Sequence, residues 1–244
     1  MAKYSKAPIE EAVFDIRINP PLSIEGSDLN SLYSKVSKSY PTVETQNKFE
    51  FVNTFKDGKP PESEVRDLKV VGLRFWDQDR KQAFRCGLDG FSFSRLRPYS
   101  GWEICFPEVM NLWAGYTNDF KPHRIKRVAL RFVNAIKIPE SRFELSDYFC
   151  DPPRPPEGLP QTLIGFLSRF TMRYADNYFA IVTLATLESS EAYSSLLLDI
   201  DAFAETSLDA KDMDQLKLIF ERLRRMKNDI FEKSITPKTK ELIK

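Results

Sequence analysis

Histidine is almost missing from this sequence: His123 is the only one in 244 residues. One histidine, set between Pro122 and Arg124 at an expected loop-to-strand junction, is a poor basis for histidine-ligated zinc or for most nucleophile–histidine triads. Glycine is scarce as well, with nine residues, and these match neither a phosphate-cradling P-loop nor a dinucleotide fingerprint. The three cysteines, Cys86, Cys105 and Cys150, form no CxxC and no metal-like spacing, which fits free thiols in a reducing cytoplasm. No apolar run approaches the roughly 18 residues of a spanning helix, and the opening Met-Ala-Lys-Tyr-Ser-Lys lacks the apolar stretch of a leader. The expectation is a soluble cytoplasmic protein that makes no use of a membrane.

Net charge is also lacking. The 36 basic and 35 acidic side chains nearly cancel, which argues against a general polyanion binder. The cancellation is not local, however. Nine Lys/Arg face four Asp/Glu between Arg95 and Arg142, whereas Ala185–Gln215 carries eight Asp/Glu and one Lys. Such segments either form two surfaces of opposite sign or pair with each other.

What the chain does have is alternation. In 124–139, Val128, Leu130, Phe132, Ile136 and Ile138 share one face of a strand, and Arg127, Arg131 and Lys137 share the other. Asn134 falls on the apolar side and needs a hydrogen-bond partner there. A strand of this kind belongs to an antiparallel sheet with one buried face. Residues 10–19 repeat the pattern, with Ala12, Phe14, Ile16 and Ile18 opposite Glu11, Asp15 and Arg17. A helix is expected from a cap at Ser27 or Asp28 through Leu29, Leu32, Tyr33, Val36 and Tyr40. Strands follow at 49–56, 68–76, 81–88 and 91–97, the last two joined at Asp89-Gly90, a pair that favours a type I′ turn with positive φ at both centres.

Helical spacing runs from Trp102 to Phe120 and again from Asp209 to Ile235, with Pro107 kinking the first or marking its start. Five prolines between Asp151 and Pro160 make a stiff surface connection. Strands at 172–187 and 193–203 and a short helix after Thr236-Pro237 complete the chain, and no sequence repeat is visible. The fold expected is one α+β domain over 1–244. It is a mainly antiparallel sheet of seven or eight strands with three or four helices, including a long C-terminal one. A helix-grip half-barrel and two fused ferredoxin-like halves both satisfy this order.

The opening Ala7-Pro-Ile-Glu-Glu-Ala-Val-Phe-Asp-Ile-Arg17 and the central Arg127-Val-Ala-Leu-Arg-Phe-Val-Asn-Ala-Ile-Lys-Ile-Pro139 come with Leu198-Asp-Ile-Asp201 and a helix running into Phe231-Glu-Lys-Ser-Ile-Thr236. In this order they resemble a sporadically distributed, uncharacterised family of bacterial and archaeal proteins of about this length. The resemblance implies a cytoplasmic microbial protein, and by association a phage-defence or toxin–antitoxin cassette. It carries over no catalytic residue.

Three pairs of charges invite a site: Asp15 and Arg17, Arg127 and Arg131, Asp199 and Asp201. Each pair lies opposite its strand's main apolar set, so one sheet would gather all six into a binding patch. Asp199 and Asp201, two apart, could share a magnesium ion, or they could simply pair with the arginines. A second candidate surface combines Arg74, Arg85, Arg95, Arg97, Arg127 and Arg131 with Trp76, Phe91 and Phe93 for phosphate or single-stranded nucleic acid. The reading taken from these residues is a non-catalytic interaction protein with a protein partner and no cofactor or resident metal. The alternative is a metal-dependent enzyme acting on a nucleotide or nucleic acid.

Overall fold

The structure, a computed structural model, describes residues 4–19, 33–54, 62–188, 190 and 192–244, of which 33, 49–54 and 62–68 are described by backbone alone. It is an α+β fold built on one antiparallel sheet. The strands are β1 (Ile9–Ile18), β2 (Thr42–Thr54), β3 (Glu62–Trp76), β4 (Gln82–Gly87), β5 (Gly90–Leu96), β6 (Arg124–Ile138), β7 (Leu167–Ala175), β8 (Tyr178–Thr186) and β9 (Ser194–Asp209). The helices are α1 (Tyr33–Val36), α2 (Trp102–Phe120), α3 (Leu145–Tyr148), α4 (Met213–Ser234) and α5 (Pro237–Leu242). No described helix is long and apolar enough to cross a membrane.

The spatial order is β2-β3-β4-β5-β1-β6-β9-β8-β7. Two like paths meet at the central pair β1 and β6. Each starts with a central strand, makes an excursion to an outer edge, returns as a meander and ends in a helix. Sequence comparison of the halves shows no repeat, but the topology does repeat.

Nine strands replace the expected seven or eight, and the reason lies between Leu167 and Thr186. The stretch 172–187 is expected as one strand, but Asp176-Asn177, a turn-favouring pair, reverses the chain and pairs β7 with β8. The expected strand at 49–56 is likewise part of a longer β2 that begins at Thr42. The expected cap at Ser27 or Asp28 with Leu29 and Leu32 lies outside the described residues. The β4–β5 turn also differs from expectation. Gly90 opens β5 with φ 148°, and Asp89 is not among the positive-φ residues, so the type I′ geometry is absent. Gly90 is needed for another reason: a Cβ there would stand 2.2 Å from the Ile16 carbonyl oxygen.

Both long helices cover the same face of the sheet, α2 over β5 and α4 over β6 and β9. Their apolar stripes come from helical spacing: Cys105, Val109, Trp113, Tyr116 and Phe120 on α2, and Leu216, Phe220, Leu223, Met226 and Ile230 on α4. Phe14 on β1 is the common floor. Its ring lies 5.4 Å from Trp102, 5.8 Å from Phe220 and 6.0 Å from Phe93, centroid to centroid. Asn134 sits in this interior as expected, and its amide donates to the carbonyls of Leu198 and Phe132. Asp212 and Thr236 cap α4 and α5 by accepting from Gln215 and Thr239 N–H. Cys86 and Cys105 are buried free thiols, and Cys150 is exposed and free.

The helix α4 also brings a cation against this apolar interior. Lys227 of α4 is partly buried with its ammonium 3.8 Å from the Phe132 ring centroid. Burial, with help from the neighbouring Arg224 charge and against the pull of Glu232, brings its pKa from 10.5 down to about 7.

Two outcomes follow from this packing. Phe220→Ala removes a fully buried ring and should destabilise the fold by about 3–5 kcal/mol, read by chemical denaturation; an unchanged midpoint would mean that α4 does not bury this face. For Lys227 the folded chain holds fewer protons than the unfolded chain between pH 7 and 10.5, so its contribution to stability rises with pH across that window. Lys227→Met should therefore stabilise the protein by about 1–3 kcal/mol near pH 7 and lose that advantage as pH approaches 10.5. Equal effects at both ends of the window would remove the ammonium from the apolar site.

Candidate functional site

The other face of the sheet carries no helix packed on it among the described elements. Two-residue alternation sends Asp15 and Arg17 of β1, Arg127 and Arg131 of β6, and Asp199 and Asp201 of β9 to this side. Strand register then brings them together. Arg17 stands opposite Arg127, and Arg131 stands opposite Asp201.

Across strands these residues pair along diagonals rather than straight across, because sheet twist offsets facing side chains and arginine is long enough to follow it. Arg131 passes Asp201 and holds Asp199 with both ends of its fork, Nε to Oδ1 at 2.8 Å and Nη2 to Oδ2 at 2.7 Å. Arg127 crosses the Phe203 ring, 4.4 Å from its centroid, to donate Nη2 to Asp201 at 2.8 Å. Its Nη1 reaches Asp15 at 3.4 Å. Arg17 donates Nε to the same Asp15 oxygen at 3.0 Å and Nη1 to Asp89 at 2.5 Å. Arg85 extends the row with an ion pair to Asp89 at 2.9 Å and a hydrogen bond from Nε to Gln46. The result is a ladder of alternating sign from β4 to β9, with the neutral Gln46 of β2 at its end.

The electrostatics follow the burial. Asp15 is 9% exposed, and burial raises its carboxyl pKa above the ordinary value, reinforced by Asp201, despite Arg17 and Arg127. Asp89 behaves in the opposite way. Burial disfavours its charge, but Arg85, Arg17 and its own backbone N–H outweigh that and lower its pKa. The hydrogen bonds to Asp199 raise the pKa of Arg131. Asp201 keeps one oxygen, Oδ1, buried without a hydrogen-bond partner among the described residues.

The aromatic stack beside the ladder has its own geometry. Phe203 and Phe179 lie 5.3 Å apart with planes 22° from parallel, and Arg173 caps the outer ring at 5.5 Å. With Arg127 on the inner ring, the row Arg127–Phe203–Phe179–Arg173 leaves no ring face open for a base.

That row bears on the second candidate surface, which the structure divides. Phe91 and Phe93 are core residues at 1% and 0% exposure. Arg95 shares the helix-side alternation of Ala12, and Arg97 pairs with Glu10. Arg74, Arg85, Arg127 and Arg131 do share the helix-free face with Trp76, whose ring lies under Arg80 and Arg74. Phe91 and Phe93 lie on the inward-facing aromatic side of β5, so they belong to the core rather than to this surface.

No group of three or more potential ligands that could hold a metal occurs among the described residues. Asp199 and Asp201 share a face as anticipated, but both Asp199 oxygens and one Asp201 oxygen accept from arginine, so a cation would have to displace guanidinium groups. His123 is exposed before β6, where its carbonyl accepts from Ala210. Asp89, Gln46 and the Phe203–Phe179 stack are site residues that sequence reasoning missed. Asp89 hides in a turn, but Phe203 carries a visible signal, since it continues the 199, 201, 203 alternation.

Comparison with family models, curated proteins and solved structures finds no match for this chain. The site therefore stands on its own geometry.

Arg127 should matter far more to folding than Arg131. Arg127→Met leaves Asp15 and Asp201 together without their shared cation and should cost about 2–4 kcal/mol, the range for breaking a buried pair allowing for partial exposure. Arg131→Ala, whose side chain is 50% exposed, should cost no more than about 1 kcal/mol. Equal losses in parallel denaturation curves would show that Arg127 is not the hub of the ladder.

Proposed function

We propose that this chain is a non-catalytic binding protein whose recognition surface is the helix-free sheet face around Arg127 and Arg131. The observation that supports this reading most is a ladder whose arginines are fixed in place yet remain reachable. Side-chain exposure is 50% for Arg131, 35% for Arg17 and 29% for Arg127. Arg131 gives Nε and Nη2 to Asp199, which leaves Nη1 for a partner. Side chains already held in one geometry lose little entropy on binding, so their charge acts mainly to orient what docks.

The sign pattern favours a protein as the partner. Arg17, Arg85, Arg127 and Arg131 are matched by Asp15, Asp89, Asp199 and Asp201, which is a poor surface for a polyanion but a good one for a complementary row of mixed charges. A place in a phage-defence or toxin–antitoxin cassette rests on the resemblance of the sequence motifs alone. A second reading, a magnesium-dependent enzyme acting on a nucleotide or nucleic acid, draws on the shared face of Asp199 and Asp201.

One pair of measurements tests both. Wild type and Arg131→Glu, shown to melt alike, are used to retain proteins from the source cells. The proposal expects a species held by wild type and lost with the variant, and identical retention overturns it. Magnesium calorimetry on wild type and Asp201→Asn is expected to show no saturable binding; saturable binding abolished by the substitution would favour the enzyme.

A further inference from the structure

The outer edge of the second half is built differently from the ladder face. Among the described residues β7 pairs only with β8, so its other side presents backbone N–H and C=O groups that no described strand meets. Large apolar side chains run into it and along it in the open: Ile164 is 98% exposed, Leu167 73%, Phe170 57% and Tyr174 44%. The strand Leu-Ser-Arg-Phe-Thr-Met-Arg-Tyr-Ala holds two arginines and no acid. Arg169 and Arg173 are exposed, and neither has a carboxylate within ion-pair distance among the described residues, although nearly every other arginine on this face has one. Alternation puts both on the ladder side, while Phe170 and Tyr174 project from the other.

We propose that β7 is a docking edge for an extended segment of another protein in which acidic residues alternate with apolar ones, added to the sheet as a tenth strand. Backbone hydrogen bonds supply the attachment, as in other strand-addition complexes, and the side chains supply the selection. Arg169 and Arg173 are four residues apart, about 13 Å along a strand, so they match acids at positions i and i+4 of the incoming segment. Apolar residues between those acids fall beside Phe170 and Tyr174. A second copy joined β7 to β7 does not suit the edge. Any pairing of β7 with itself gathers four guanidinium groups with no carboxylate among them, and like charges across strands are destabilising.

The probe is a fluorescein-labelled Glu-Val-Thr-Val-Glu-Val-Thr peptide, followed by anisotropy against the full-length protein, with a Lys-for-Glu peptide as control. Saturable binding of the acidic peptide is expected. It should weaken about tenfold or more in the Arg169→Glu/Arg173→Glu double variant, consistent with loss of two charge-assisted contacts, and fall with added salt. Phe170→Ser should weaken it too. Arg131→Glu should leave it unchanged, which separates this edge from the ladder face. Several outcomes overturn the proposal: no binding by wild type, equal binding by the double variant, or equal binding of the lysine peptide. A wild-type dimer in light scattering that Phe170→Ser dissociates would assign the edge to a second copy and overturn it as well.

Discussion

Arg127 has to serve two aspartates from different strands, and the charged half of this structure depends on that requirement. Asp15 is nearly buried and Asp201 approaches it from the other side, so the two carboxylates repel in a partly desolvated place. Their shared guanidinium offsets the repulsion, and the Phe203 ring beneath holds that guanidinium flat. Arginine suits this place because its flat guanidinium lies over the ring while Nη1 and Nη2 point to different carboxylates. Because β1, β6 and β9 each contribute a member, the ladder also ties the two halves of the sheet together on the side where no helix does so.

The helix side solves the same problem with aromatic area. Phe14 supports Trp102 of α2 and Phe220 of α4, so one side chain of the central strand organises both helices. Between the helices, Trp102 donates to Glu221 and Arg224 to Glu103. The two faces thus differ in kind. The apolar face contributes most of the stabilisation through burial, while the charged face contributes little net energy and much orientation.

This division is the physical basis of the recognition surface we propose. Acids poised for metal chemistry would keep oxygens free for the ion, but here most are committed to arginines. A ladder of that kind fixes register and suits contact with a complementary surface. The β7 edge has the opposite character, with exposed apolar groups and cations that meet no carboxylate among the described residues, which suits the different mode of attachment we propose.

Much of this architecture was legible in the chain. Period-two alternation placed Asp15, Arg17, Arg127, Arg131, Asp199 and Asp201 on their strands' polar faces, and period 3.6 found α2 and the inner face of α4, because both depend on local geometry alone. The same local rule did not separate β7 from β8, since their turn is made by Asp176-Asn177 with no glycine or proline to mark it. It also could not say that Arg131 would pass Asp201 for Asp199, or that Asp89 would reach Arg17 from a turn 72 residues away. Those partnerships follow from strand order, register and twist, which are set by how the whole chain packs. The sequence by itself determined which residues could form a charged face; tertiary structure alone decided which charge meets which, and left Arg169 and Arg173 with no carboxylate partner among the described residues.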